Sequence, residues 1–105
     1  MDNKSTLTLE ERLRVENADL ETLIKITFPD STPQSIHSII DEIDNIKWIN
    51  EKEKIKRYCL VISEGEIEKL KKYFEYAKID YRDVIAAVQN TLHGHNLLKT
   101  IANKL

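Results

Sequence analysis

Two histidines flank a glycine near the end of the chain, at His93, Gly94 and His95. Imidazole nitrogens bind zinc and related metals, but a zinc site needs three or four ligands in tetrahedral geometry. The other two candidate ligands, His37 and Cys59, lie on separate predicted helices. The sequence therefore predicts no metal and no cofactor, and His93 and His95 are the first candidates if a metal were bound. As a polar loop, the pair would place a protonated imidazole at the end of a helix, where it complements the helix dipole.

Cys59 is the only thiol in the chain. A nucleophilic cysteine needs a neighbouring base or a cationic environment that lowers its pKa. Cys59 instead falls between Ile55 and Ile62 on an apolar stripe, where a small hydrophobic side chain is expected. The pattern predicts that this thiol is part of the core.

Acidic residues occur in short runs that could supply the two carboxylates of a general acid and base. These runs are Glu10 with Glu11, the acids of 41–44 and the acids of 64–68. Acid–base catalysis needs two carboxyl groups that converge in a cleft and differ in pKa. Neighbouring acids on one helix point in different directions, which is typical of a solvated helix face. The sequence predicts no catalytic residue, and we do not expect an enzyme.

Composition favours helices over strands as the elements that position these residues. The chain has 105 residues, of which 41% are hydrophobic, 32% are charged, 2 are glycine and 2 are proline. Sheet proteins need turn residues often, whereas long helices do not, so we expect one helical domain over residues 1–105. A single cysteine suits a reducing compartment, and neither a secretory signal nor a membrane span is visible. We expect a cytoplasmic protein that does not bind membranes.

Charge is divided unevenly along the chain. Residues 1–51 carry 5 basic and 11 acidic side chains, whereas residues 52–105 carry 11 basic and 7 acidic ones. A chain with this polarity is suited to association with itself or with a charged partner. The alternative is that helical surfaces simply need charged residues to stay in water.

Apolar residues recur every three or four positions, which predicts an all-α compact bundle of five to six helices. The predicted helices cover residues 9–27, 33–48, 51–62, 64–78, 81–92 and 97–104, with residues 1–7 flexible. The first begins with a capping box at Thr8 and Glu11, and Thr32 before Pro33 begins the second. The predicted core stripe of the first helix is Leu9, Leu13, Leu20, Leu23 and Ile24.

Boundaries in the second half rest on further capping signals. Ser63 with Glu66 repeats the capping-box spacing, Asp80 is a second N-cap, and Gly94 is a typical helix terminator. The segment 51–62 has an open alternative, because its residues 58–62 would also suit a buried strand. A lone strand has no partner here, so we favour a helix.

One stretch resembles a known group of proteins. Residues 57–87, which include EKLKKYFEYAKIDYRDVIAA, resemble small bacterial helical proteins of uncharacterised activity. The likeness covers about a third of the chain. It implies a helical fold and carries no implication about chemistry.

Nucleic acid is the less favoured partner. Helices 64–78 and 81–92 could imitate a helix-turn-helix, with Arg82, Gln89 and Asn90 reading bases. The basic side chains available to such a regulator are Lys52, Lys54, Lys56, Arg57, Lys69, Lys71 and Lys72. However, the supposed reading helix opens with two acids, at positions 80 and 83, that would repel phosphates.

The favoured function is a non-catalytic protein-interaction domain, either a homodimer or an adaptor. Four large apolar residues fall away from the predicted stripes and are candidates for the contact surface: Val15, Ile26, Trp48 and Ile49. A nucleic-acid-associated regulator is the first alternative. A small ligand-binding bundle or enzyme is the second, and its pocket would be lined by Tyr58, Tyr73, Tyr76 or Glu16.

Overall fold

A computed structural model describes residues 6–105 of the chain. The predicted all-α bundle is confirmed, and the described residues contain no strand. The elements are α1 (Leu9–Glu16), α2 (Leu20–Thr27), α3 (Pro33–Ile40), a 3₁₀ helix (Asp41–Asn45), α4 (Lys52–Ser63), α5 (Ile67–Gln89) and α6 (Leu92–Ala102). Of the flexible segment predicted at 1–7, residues 1–5 lie outside the described residues, and Leu7 packs against the core.

The single helix predicted over 9–27 is wrong, because the chain breaks between α1 and α2. The predicted capping box begins α1, with the Thr8 hydroxyl accepting from the Glu11 amide at 3.1 Å. Asn17 ends it, and its amide donates to the Leu13 carbonyl at 2.9 Å. Asp19 then caps α2, so two helices of eight residues replace one of nineteen.

The second predicted helix, over 33–48, is also too long. Thr32 caps α3 as predicted, with its hydroxyl accepting from the Ser35 amide at 3.3 Å. The α-helix ends at Ile40 and the chain tightens into the 3₁₀ helix, which keeps Ile43 buried. The tighter turn of a 3₁₀ helix re-phases the side chains that follow it.

Helix α4 settles the question of helix or strand in favour of the helix. It runs from Lys52 to Ser63 through the middle of the molecule, packing most extensively against α5 and also touching α1, α2 and α6. Every residue from Ile55 to Ser63 except Arg57 is buried. Ser63 belongs to this helix and its hydroxyl donates to the Leu60 carbonyl, so the capping box predicted at Ser63 is wrong.

Helix α5 joins the predicted helices 64–78 and 81–92 across a sharp kink at Asp80. There the backbone leaves the helical region, with φ −154° and ψ 101°. The Asp80 carboxylate accepts from the Arg82 amide at 3.0 Å, so Asp80 acts as the predicted cap within a bent helix.

The last helix begins five residues before its predicted start, so Gly94 does not terminate a helix. Thr91 caps α6, and its hydroxyl accepts from the Gly94 amide at 2.8 Å. A side chain at position 94 would place its Cβ 2.5 Å from the carbonyl oxygen of Ala87 and 2.6 Å from the Cα of Val88. Glycine is needed here because α6 starts directly against the end of α5.

One continuous hydrophobic cluster joins all of these elements. Its largest fully buried members are Tyr58, Leu23, Ile24, Ile36, Ile40, Ile43, Ile49, Ile55, Leu60, Leu70, Leu98 and Val15. Of the helices within residues 6–105, none has the length and apolarity needed to cross a bilayer.

Candidate interaction surfaces

Helix α1 packs with its polar side inward. The side chains of Glu11 and Glu16 are each only 13% exposed, whereas Leu9 and Leu13 are 63% and 41% exposed. This is the reverse of the usual amphipathic arrangement. It also contradicts the predicted core stripe, from which Leu9 and Leu13 are excluded.

A polar network holds the inward side of α1. The Tyr58 hydroxyl donates to the Glu16 carboxylate and accepts from the Gln89 side-chain amide, the latter at 2.8 Å. Burial raises the pKa of Tyr58 well above its usual range, so the phenol stays protonated and can donate. Arg12 lies 3.3 Å from the same Glu16 carboxylate. The side chains of Tyr58, Glu16 and Gln89 thus satisfy one another across α1, α4 and α5, whereas the buried Nε of Arg12 makes no hydrogen bond to any described residue.

Two further contacts tie α1 to α6. Arg14 donates to the Ala102 carbonyl at 3.0 Å, and the Lys99 ammonium lies 3.9 Å from the Glu11 carboxylate. The backbone amide of Thr8, which donates to Glu11, holds the pKa of that carboxyl below its usual range. The inward contacts of α1 are therefore charged or polar, apart from Val15.

The outward side of α1 presents an apolar ridge. Leu9 and Leu13 stand one turn apart on it, and the exposed Leu105 lines the same groove as Leu13. We call these three residues the α1 ridge. An open groove of about 460 Å³ runs between Leu13 and Leu105, and its walls include Glu10 and Arg14.

A second apolar surface lies at the kink of α5. In a regular helix the Lys78 carbonyl would accept a hydrogen bond from the Arg82 amide. Here the Asp80 carboxylate accepts that hydrogen bond instead. The indole N–H of Trp48 donates to the vacated carbonyl at 3.0 Å. Trp48 is nevertheless 61% exposed, and Ile79, next to Lys78 in the chain, is 80% exposed. We call Trp48 and Ile79 the kink surface.

Ion pairs fix the charged rim of the kink surface. Arg82 forms two hydrogen bonds of 2.9 Å to the carboxylate of Asp80, and this pairing lowers the pKa of Asp80. Arg82 thus pairs with an acid of its own helix. Lys78 pairs with Glu75 at 3.3 Å.

The four predicted surface residues separate into two groups. Val15 is fully buried and Ile49 is 2% exposed, so neither can belong to a contact surface. The prediction for Val15 is wrong because it assumes one unbroken helix over 9–27. Ile26 is half-buried, and Trp48 is exposed.

The two histidines flanking Gly94 point to different partners. His93 lies 2.9 Å from the Glu64 carboxylate, while His95 bonds to the Gln89 backbone carbonyl. Within residues 6–105, no three histidine, cysteine or acidic side chains converge as a metal site would require. His93 also helps Lys69 to hold the pKa of Glu64 below its usual value.

Cys59 occupies the core position that the stripe predicts. Burial raises the pKa of its thiol to about 12, because the charged form would lose its hydration. A thiol with this pKa supplies almost no thiolate at neutral pH, so it is a poor nucleophile.

The basic residues considered for nucleic acid are largely engaged within the protein. Lys56 is buried and lies 2.9 Å from Asp44 and 3.2 Å from Glu53. Burial disfavours its charge, but these carboxylates outweigh burial and raise the pKa of Lys56. Arg57 also pairs with Glu53.

The helix-turn-helix alternative also lacks its turn. The two halves of α5 meet at one residue, whereas a helix-turn-helix needs a turn of three or four residues.

The tyrosines considered for a ligand pocket do not share one. Tyr58 is buried in the polar network, whereas Tyr73 and Tyr76 stack edge to face at 5.4 Å with Tyr76 exposed. A cavity of about 290 Å³ borders the network, since its walls include Arg12 and Gln89 together with Leu9 and His95. None of the residues that line it is a tyrosine.

Comparison with protein-family models, curated proteins and solved structures finds no match to this chain. Four exposed residues of these surfaces that the sequence did not predict are Leu9, Leu13, Ile79 and Leu105. For Ile79 a signal existed, because it directly precedes the Asp80 cap and falls outside the stripe of its helix.

Proposed function

We propose that this chain is a non-catalytic protein-interaction domain that presents the kink surface to a partner protein. The observation that carries the proposal is the state of Trp48, which is fixed by a hydrogen bond to the Lys78 carbonyl and yet exposed. Tryptophan is the residue most enriched among the side chains that dominate protein–protein binding. An indole that is already fixed loses little conformational entropy on binding.

The chemistry of the surface describes its partner. An apolar side chain of the partner would cover Trp48 and Ile79. Lys78 directly precedes Ile79 in α5, Arg82 follows three residues later, and Lys47 precedes Trp48 in the chain, so carboxylates beside that apolar residue would be favoured. The existing ion pair of Lys78 with Glu75 is exposed and contributes little, so exchanging it for a pair with the partner costs little.

The location proposed for this role is the cytoplasm. The chain has one cysteine, and its thiol is free and buried. A protein that relies on no disulfide suits a reducing compartment.

Site-specific photo-crosslinking in cells of the native host tests the proposal. A photoreactive phenylalanine analogue replaces Ile79 in one variant and Leu92 in another, since Leu92 is similarly exposed at the start of α6. We expect a discrete cross-linked product from position 79, its loss when Trp48→Ala is added, and no such product from position 92.

Trp48 emission gives an independent readout, because the chain has one tryptophan. A partner identified by cross-linking should shift this emission to shorter wavelength when added in purified form. Cross-linking that is absent at position 79, or indifferent to Trp48→Ala, would refute the proposal.

A further inference from the structure

We propose that the α1 ridge is the interface between two copies of this chain, arranged with their α1 helices antiparallel about a two-fold axis. This inference deepens the proposed interaction role by naming a second copy as one partner, and it rests on that role. It uses a surface distinct from the kink surface, so the two proposals can fail separately.

The first reason is the orientation of α1. Its acids Glu11 and Glu16 are turned inward to satisfy polar groups, which leaves Leu9 and Leu13 in water. Leu9 and Leu13 are one turn apart on the helix, and Leu105 lines the same open groove as Leu13. Exposed apolar side chains grouped in this way mark contacts with other chains.

The second reason is the shape of the neighbouring groove. The groove of about 460 Å³ lies between Leu13 and Leu105, toward the C-terminal end of α1. Leu9 projects at the N-terminal end of the same helix. Antiparallel pairing with its axis near Arg12 places Leu9 of each copy over the groove of the other. The same patch then serves both copies, as a two-fold interface requires.

The third reason is charge complementarity, which selects the antiparallel arrangement. Glu10 and Arg14 border the ridge one turn apart and form an ion pair of 3.7 Å with each other, while their side chains stay 85% and 42% exposed. This exposed pair contributes little within one chain, so both charges can turn to a second copy. In the antiparallel arrangement Glu10 of each copy meets Arg14 of the other, so two opposite-charge pairs form. A parallel arrangement would bring like charges together at both positions. Antiparallel helix dipoles are favourable as well.

The decisive experiment reverses the charge of Glu10 in one variant and of Arg14 in another, and then mixes the two variants. Sedimentation equilibrium is measured from roughly 1 μM to 1 mM, the range of Kd expected for a small interface. The wild type should show a concentration-dependent monomer–dimer equilibrium. Glu10→Lys alone and Arg14→Glu alone should each raise the dimer Kd by about tenfold or more, because each homodimer contains two repulsive pairs.

An equimolar mixture of the two variants should recover dimer. In a mixed dimer the introduced lysine of one copy faces the introduced glutamate of the other, and the remaining Arg14 faces the remaining Glu10, so both pairs attract. Arg14 also donates to the Ala102 carbonyl, so Arg14→Glu alone weakens the attachment of α1 to α6. That loss is present in the variant alone and in the mixture, so recovery on mixing reports the interface. A mixture that associates no better than its components would overturn the proposal.

A second pair of variants separates this interface from the kink surface. Leu9→Glu should abolish dimerisation while leaving Trp48-dependent cross-linking at position 79 unchanged. It should also preserve folding, because Leu9 is exposed and an acid suits the first turn of a helix. Ile79→Glu should leave the dimer Kd unchanged. A wild type that is monomeric throughout, or a dimer indifferent to Leu9→Glu, would overturn this inference and leave the proposed function standing.

Discussion

The hydroxyl of Tyr58 on α4 bridges the Glu16 carboxylate of α1 and the side-chain amide of Gln89 on α5. One phenol therefore joins three helices through polar contacts inside an apolar core. The position of α1 depends on this bridge, because Val15 is the only buried residue of that helix.

Removal of the hydroxyl should be costly although it deletes one atom. Tyr58→Phe leaves the Glu16 carboxylate and the Gln89 amide short of a partner, and an unsatisfied buried polar group costs about 1–3 kcal/mol. Chemical denaturation should show a loss of unfolding free energy in that range. Tyr76→Phe is the matched control, since Tyr76 is exposed, and it should change stability by less than about 0.5 kcal/mol.

Gly94→Ala should destabilise the packing of α6 on α5. The added methyl group would overlap backbone atoms of Ala87 and Val88, which cannot move aside as a flexible side chain can. Overpacking of this kind costs about 1–3 kcal/mol or more. The matched change Asn96→Ala lies on an exposed position of the same helix and should be nearly neutral in thermal unfolding. Equal melting temperatures for the two variants would contradict the close approach at Gly94.

His37 should make stability rise as pH falls toward 6. Its ring lies between the carboxylates of Glu21 on α2 and Asp41 on the 3₁₀ helix. The hydrogen bond to Glu21 is the main cause that raises the pKa of His37 above its ordinary 6.5. A raised folded-state pKa stabilises the protein fully below 6.5, and this contribution is lost as pH rises through the folded-state value.

Denaturation of the wild type and of His37→Gln at about pH 6 and pH 8.5 checks this expectation. The stability difference between the two proteins should be larger at the lower pH. It should not exceed about 1 kcal/mol, because both acids are partly exposed. A difference that is constant across this range would show that the two carboxylates do not hold the protonated ring.

Cys59 should be unreactive in the folded protein. Its thiol is buried, and burial raises its pKa to about 12, so attack on a disulfide reagent requires unfolding. The folded chain should react far more slowly than the denatured chain. The denatured chain should release one equivalent of the reagent's leaving thiol per chain. Destabilising variants such as Gly94→Ala should speed the reaction in proportion to their unfolded fraction. Rapid reaction of the folded wild type would place the thiol outside the core.

The sequence predicts the all-α fold and the caps at Thr8, Thr32 and Asp80, but neither every helix boundary nor which side of each helix faces inward. Periodicity gives the spacing of Leu9, Leu13 and Leu23, and their common stripe assumes an unbroken helix. The break at Asn17 and Asp19 re-phases the second segment, so Leu23 enters the core and Leu9 does not. A cap signal was visible, since Asp19 stands three residues before Thr22, but an apparently continuous stripe concealed it.

Other features of the surfaces depend on long-range contacts that spacing does not encode. Trp48 could be predicted as exposed because it lies off the stripe of its helix. The carbonyl that fixes it belongs to Lys78, thirty residues away, and is free only because Asp80 bends α5. Glycine is common at helix ends, so the sequence predicts a terminator at Gly94, whereas the actual role of this residue depends on how closely α6 approaches α5.

The inward orientation of the acids of α1 has a consequence for how the molecule opens. Lifting this helix away would expose one buried aliphatic side chain of its own, Val15, together with the surfaces of α4 and α6 that it covers, and water could replace most of the polar contacts that are broken. Native-state hydrogen exchange should therefore release the amides of α1 at a lower free energy than those of α4. We therefore expect α1 to open first, although its Val15 belongs to the same hydrophobic cluster as the other helices.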